Sequence, residues 1–120
     1  MADRILTWDV AGVLSNNIQG TKVGAEYVLD DDYVPVDVHL RQKVAQGGDA
    51  TIVDINDDGT SIFATRPVVN QGLLGGVGGV FASDLTFMAK GSVITLDVDQ
   101  VSGTTPGSDL SVQLDLDKVR

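Results

Sequence analysis

Apolar and polar residues alternate with a period of two through much of the chain. The longest such run sets Val34, Val36, Val38, Leu40 and Val44 against Pro35, Asp37, His39, Arg41 and Lys43. Alternation of this kind marks a strand with one buried face. A helix over the same residues would put Val36 beside His39 and Asp37 beside Leu40, mixing apolar with polar groups on one face. The pattern returns near the C-terminus as Ile94, Leu96 and Val98, then as Leu110, Val112, Leu114 and Leu116 with Ser111, Gln113, Asp115 and Asp117 between them. It is shorter at Leu6, Trp8 and Val10, which run up to Gly12, and from Val23 to Val28, between Gly20 and the triplet Asp30, Asp31, Asp32.

Turn chemistry supplies the boundaries. Ala50 to Ile55, then Asn56-Asp57-Asp58-Gly59, then Ser61 to Ala64 is the strongest hairpin signal in the chain. Leu85 to Ala89 reads as another strand ahead of Lys90-Gly91. The polar run from Ser102 to Ser108 reads as a connection between antiparallel neighbours. Eight or nine short strands and no helix follow, within one domain over residues 1–120. We expect an all-β, antiparallel β-sandwich, jelly-roll-like, in preference to a closed barrel. Its inward faces would come from Trp8, Val36, Val38, Ile52, Phe63, Phe87, Leu96, Val98, Val112 and Leu114.

One segment breaks the alternation. From Gln71 to Phe81, five glycines intersperse with Leu73, Leu74, Val77 and Val80. Either it crosses the end of the sandwich and tucks Leu74, Val77 and Phe81 under the core, or residues 73–81 form an apolar lip that another chain covers.

Composition narrows the chemistry. The 120 residues carry 17 acidic against eight basic groups, a formal charge of -9, which repels phosphate backbones and anionic headgroups. No nucleic acid or membrane partner is expected. Of the acidic residues only Glu26 is glutamate, and aspartate favours turns and strand ends over helices. The chain has no cysteine, so a disulfide, a thiol nucleophile and a thiolate metal site are all excluded. No apolar run reaches membrane-span length, and the N-terminus opens an alternating segment in place of a leader, so a soluble, unprocessed chain made in a cytoplasm is expected.

Three features carry candidate chemistry. Asp54-Ile55-Asn56-Asp57-Asp58-Gly59 opens like a calcium loop, with Asp54, Asn56 and Asp58 as oxygen donors. The twelfth position, however, is Thr65 where a bidentate Glu is required, so the turn residues are expected for backbone reasons. His39, the only histidine, falls on the polar face with Asp37 and Arg41, exposed or at a subunit contact, with neither a cysteine nor a G-x-S-x-G elbow to act on. The glycines at 75, 76, 78 and 79 have no following G-K-[ST] and make no phosphate cradle. The expectation is a non-enzyme with no catalytic, metal or cofactor residues.

The stretch Thr51-Ile52-Val53-Asp54-Ile55-Asn56-Asp57-Asp58-Gly59-Thr60-Ser61-Ile62-Phe63 resembles a recurrent hairpin of small structural proteins of tailed bacteriophages. The run from Gly91 to Gly107 and the opening with Trp8, Val10 and Gly12 are similar to the same proteins, while Val101-Ser102-Gly103 and the Gly-rich segment depart from them. The resemblance implies a jelly-roll-like virion component, commonly trimeric, that decorates the capsid or forms a knob on a head or tail fibre. Its partners would then be copies of itself and the major capsid protein or another virion protein. A receptor- or carbohydrate-binding head is the alternative, with Tyr27 and Tyr33 as stacking platforms.

Overall fold

A computed structural model of the protein describes residues 2–15, 18–20 and 22–120. Among these the fold is all-β, with ten strands in chain order: β1 (Arg4–Val13), β2 (Lys22–Val28), β3 (Tyr33–Val44), β4 (Thr51–Asp57), β5 (Thr60–Ser61), β6 (Phe63–Thr65), β7 (Val68–Val69), β8 (Val80–Phe81), β9 (Val93–Gln100) and β10 (Ser108–Lys118). One sheet, A, has the order β1-β10-β3. The other, B, has the order β2-β9-β4-β5, with β7 also on β4. The pairings are antiparallel and nested: first strand with last (β1 and β10), second with next to last (β2 and β9), and β4 with β5 at the innermost hairpin. A long hairpin rolled on itself pairs its strands in this way, and that is jelly-roll connectivity.

The Gly-rich segment completes the nesting. It does not cross the end of the sandwich; it runs antiparallel along the free edge of β3, through a bridge between Arg41 and Gly75. Gln42 N donates to Leu74 O at 2.8 Å, and Gly76 N to Leu40 O at 2.9 Å. On its far side, Val77 and Val68 exchange two backbone hydrogen bonds of 2.8 and 3.0 Å, which ties the segment to β7 and so to sheet B. The edge of sheet A is thereby paired, and the sandwich is laced shut along one side. Along the other side, Trp8 Nε1 donates to Ala25 O at 2.8 Å and Tyr27 Oη to Thr7 O at 2.5 Å.

Leu6 and Trp8 from β1, Leu110, Val112, Leu114 and Leu116 from β10, Val38 and Leu40 from β3, Val53 and Ile55 from β4, and Ile94, Leu96 and Val98 from β9 fill the space between the sheets. Three of the expected core residues lie elsewhere. Val36 is 47% exposed, because it is the extra residue of a β-bulge: Pro35 pairs with Leu116, and Asp37 with Asp115. The bulge reverses the phase of β3, so that Tyr33 faces inward on one side of it and Val38 and Leu40 on the other. Phe87 is exposed while Met88 is buried, since only Met88 bridges to Tyr33 there and Leu85–Ala89 forms no strand. Ile52 is half-buried, because the inward positions of β4 are Thr51, Val53 and Ile55. The run from Ser102 to Ser108 also differs from expectation, for it carries the chain from sheet B to sheet A instead of joining neighbours.

Candidate functional site

The outward residues of sheet A lie in register across its three strands. Asp9, Ser111 and Arg41 make one row, and Thr7, Gln113 and His39 make the next. The first row continues onto Gly75, which faces Arg41 and has no side chain. Small groups at Ser111 and Gly75 between longer neighbours leave a trough across the strands. Its volume is about 420 Å³, and it is lined by Thr7, Asp9, His39, Arg41, Gly75, Gly76, Ser111 and Gln113.

Hydrogen bonds order part of this surface. Ser111 Oγ donates to Asp9 Oδ1 at 2.8 Å, and Gln113 Nε2 to Asp115 Oδ1 at 2.9 Å. His39 Nε2 lies 3.3 Å from Asp115 and 3.5 Å from Asp37, and its side chain is more than half exposed. The imidazole thus faces two carboxylates, while the Ser111 hydroxyl donates to Asp9. Arg4, Lys22, Arg66, Lys118 and Arg120 each sit in an ion pair. Among the described residues, Arg41, Lys43 and Lys90 have no carboxylate within ion-pair distance, and of these only Arg41 lines the trough.

In the calcium-like turn one oxygen of each of Asp54 and Asp58 is hydrogen-bonded within the fold. Asp54 Oδ1 accepts from Ser61 Oγ at 2.5 Å, and Asp58 Oδ1 accepts from Val93 N at 2.8 Å. Asn56 uses its Nδ2 to donate to Asp97 Oδ2 at 2.8 Å. Asp58 and Gly59 both have positive φ, 49° and 86°, as a two-residue type I′ hairpin turn requires. The triplet is likewise occupied: Asp30 Oδ1 accepts from Tyr33 Oη at 2.7 Å and Arg4 Nη1 at 2.6 Å, while Asp32 Oδ1 accepts from Lys90 N at 2.8 Å. Tyr33, followed by Arg4, holds the Asp30 carboxyl below the usual range. Among the described residues, no three His, Asp or Glu side chains converge to hold a metal ion.

Of the two tyrosines, Tyr33 is buried and Tyr27 half-buried. Tyr33 is 2% exposed, and Tyr27 packs edge-on against Trp8 with ring centroids 5.3 Å apart.

Beside the trough lies a second surface. The Gly-rich segment seats its backbone against β3 and presents Leu73, Leu74, Val77 and Val80 to solvent, all between 37% and 61% exposed. Phe81 turns inward and stacks on Phe63 at 5.4 Å. Exposed Phe87 precedes Met88, which pairs with Tyr33 at the other end of β3. Exposed apolar side chains thus flank β3 at two places, Leu73, Leu74 and Val77 near Leu40 and Gln42, and Phe87 near Tyr33, while Val80 between them pairs with Thr65 of β6. Sequence reasoning singled out the apolar residues of segment 73–81 and His39, and placed Phe87 in the core. It passed over Thr7, Asp9, Ser111 and Gln113, whose outward parity was the only local signal they carried. No family model, curated protein or solved structure matches the chain.

Proposed function

We propose that the protein is a structural component of a tailed-bacteriophage virion, made in the host cytoplasm, that decorates the assembled capsid as a trimer and works by adhesion. The observation that carries this reading is the exposed apolar group Leu73, Leu74 and Val77 of the Gly-rich segment. Several exposed apolar side chains within five residues are unusual for a chain that acts alone, and these stand on a backbone hydrogen-bonded to β3 on one side and to Val68 on the other. The resemblance of the Thr51–Phe63 hairpin to phage structural proteins supports the virion assignment, and the nested jelly-roll pairing agrees with it. Trimer contacts would bury part of this surface, and contact with capsid subunits the rest. A protein that binds the assembled shell and not its separated subunits stabilises the shell by mass action, with no bond made or broken. The charge of -9 suits a surface that must not adhere to packaged or free nucleic acid.

The test is to replace Leu74 and Val77 by Asp together. Val77 is 61% and Leu74 37% exposed and neither belongs to the buried core, so the monomer should keep its fold at low concentration, with a melting profile close to the parent's. Light scattering should show a trimer for the parent and a monomer for the double variant, and only the parent should co-sediment with intact capsids. A parent that is monomeric and ignores capsids, or a double variant that assembles as before, would refute the proposal.

A further inference from the structure

We infer that the trough across sheet A is a binding site for a short saccharide bearing a single carboxylate, a surface distinct from the exposed apolar group of the Gly-rich segment. The kind of ligand follows from what the trough offers and what it withholds. It runs across the strands, and the β3 edge beside it is already paired with Leu74 and Gly76, so an extended peptide finds no free edge to join. Recognition must therefore come from side chains. The outward groups are hydroxyls at Thr7 and Ser111, an amide at Gln113, an imidazole at His39, a carboxylate at Asp9 and a guanidinium at Arg41. Such a mixture of donors and acceptors matches a ring carrying several hydroxyls, each of which both gives and accepts a hydrogen bond. A volume of about 420 Å³ falls within the ordinary range for small-ligand sites.

Charge sets the remaining feature. Arg41 lies beside Gly75, where a Cβ would stand 3.8 Å from Nη1, and among the described residues no carboxylate neutralises it. Its planar fork suits one carboxylate held bidentate. Asp9 stands two strands away, roughly 10 Å at the usual interstrand spacing, and its Oδ1 already accepts the Ser111 proton. A ligand with its carboxylate at Arg41 and hydroxyls toward Asp9 meets both ends of the row with the right sign. A polyanion would meet Asp9, Asp37 and Asp115 as well as the net charge of -9, and be repelled.

The experiment is a titration of the isotope-labelled full chain with glucuronosyl-glucose, and separately with glucosyl-glucose, which carries a hydroxymethyl group in place of the carboxylate. The acidic disaccharide should give saturable shifts in the millimolar range at Thr7, Asp9, His39, Arg41, Ser111 and Gln113. The neutral one should bind about tenfold more weakly, and Arg41→Gln should reduce the acidic disaccharide to that level, the worth of one charge-assisted pair. Phe87→Ser, at an exposed position near Tyr33 and outside the trough lining, should bind as the parent does, which separates this site from the apolar surface. No saturable shift, equal binding of the two sugars, or unchanged binding after Arg41→Gln would each overturn the inference.

Discussion

Gly78 shows how one missing methyl group shapes this molecule. A Cβ there would stand 2.5 Å from Val38 O, and one at Gly76 equally close to Leu40 Cγ. The first obstacle is backbone of a paired strand, which cannot step aside. Gly78→Ala should thus destabilise the fold by roughly 2–3 kcal/mol, as other forced overpacking does. Gly103→Ala meets nothing within 4 Å and has ordinary backbone angles, so its effect should stay within about 0.5 kcal/mol. Denaturant unfolding of the two variants side by side is the measurement. Equal stabilities would mean that the segment does not lie against β3 as described.

At the level of elements, the pairing of the Gly-rich segment with β3 is specified by polar groups within the core. Gln42, Gln46 and Thr51 are buried, at no more than 2% exposure. Gln42 Nε2 donates to Gln46 Oε1, Thr51 Oγ1 to Gln42 Oε1 at 3.1 Å, and Gln46 Nε2 to Val69 O at 2.7 Å. This network joins β3, β4 and β7 close to where Leu74 meets Gln42, so a slipped register would strand buried amides. Gln42→Leu keeps the volume and deletes the hub, leaving the Thr51 hydroxyl and Gln46 Oε1 without partners. A loss of about 2–4 kcal/mol is expected from two orphaned polar groups. Hydrogen exchange should accelerate at the Gly76 amide, which bonds to Leu40 O. Unchanged exchange there would show that apolar packing alone sets the register. The Val36 bulge belongs to the same scale, because the reversal of phase it imposes turns Tyr33 inward, where its hydroxyl reaches Asp30.

For the whole molecule, acid should act in two opposite stages. Burial, first among the causes, pushes the Asp54, Asp57 and Asp97 carboxyls above the ordinary aspartate value of 3.8, and the Asp99 charge adds to the rise at Asp54 and Asp97. A raised value means the folded protein binds these protons more tightly than the unfolded chain. Stability is therefore gained as pH falls through the raised values toward 3.8. Asp3 runs the other way: the Arg120 hydrogen bond, with that of the Lys118 amide, brings it down to about 2, and Asp30 is also lowered. Their contribution is present above 3.8 and is lost as pH drops from there toward 2. Melting temperature should rise from neutral pH to about pH 4 and then fall. Asp97→Asn should flatten the rising limb. A melting temperature that only declines from neutrality would contradict the burial of these carboxyls.

What could be read from the chain alone was local. Alternation at Leu6–Val10, Ile94–Val98 and Leu110–Leu116 located three strands and their buried faces, since side-chain direction in a strand depends only on parity. Asp58-Gly59 marked the hairpin, because a type I′ turn needs residues that tolerate positive φ, and that preference is intrinsic to the residues. The all-β class and the exposed position of His39 follow from the same short-range rules. Val36 escaped them, for nothing within its own run signals that β10 has one residue fewer to offer opposite it. The Gly-rich segment escaped them too, since its strand-like course rests on hydrogen bonds to β3 and β7 and not on its own propensity. The trough is the extreme case: Asp9 and Ser111, which form its floor, are 102 positions apart and meet only because the first and last strands pair. Nearest neighbours dictate conformation, and distant pairing dictates which surfaces come to share a face.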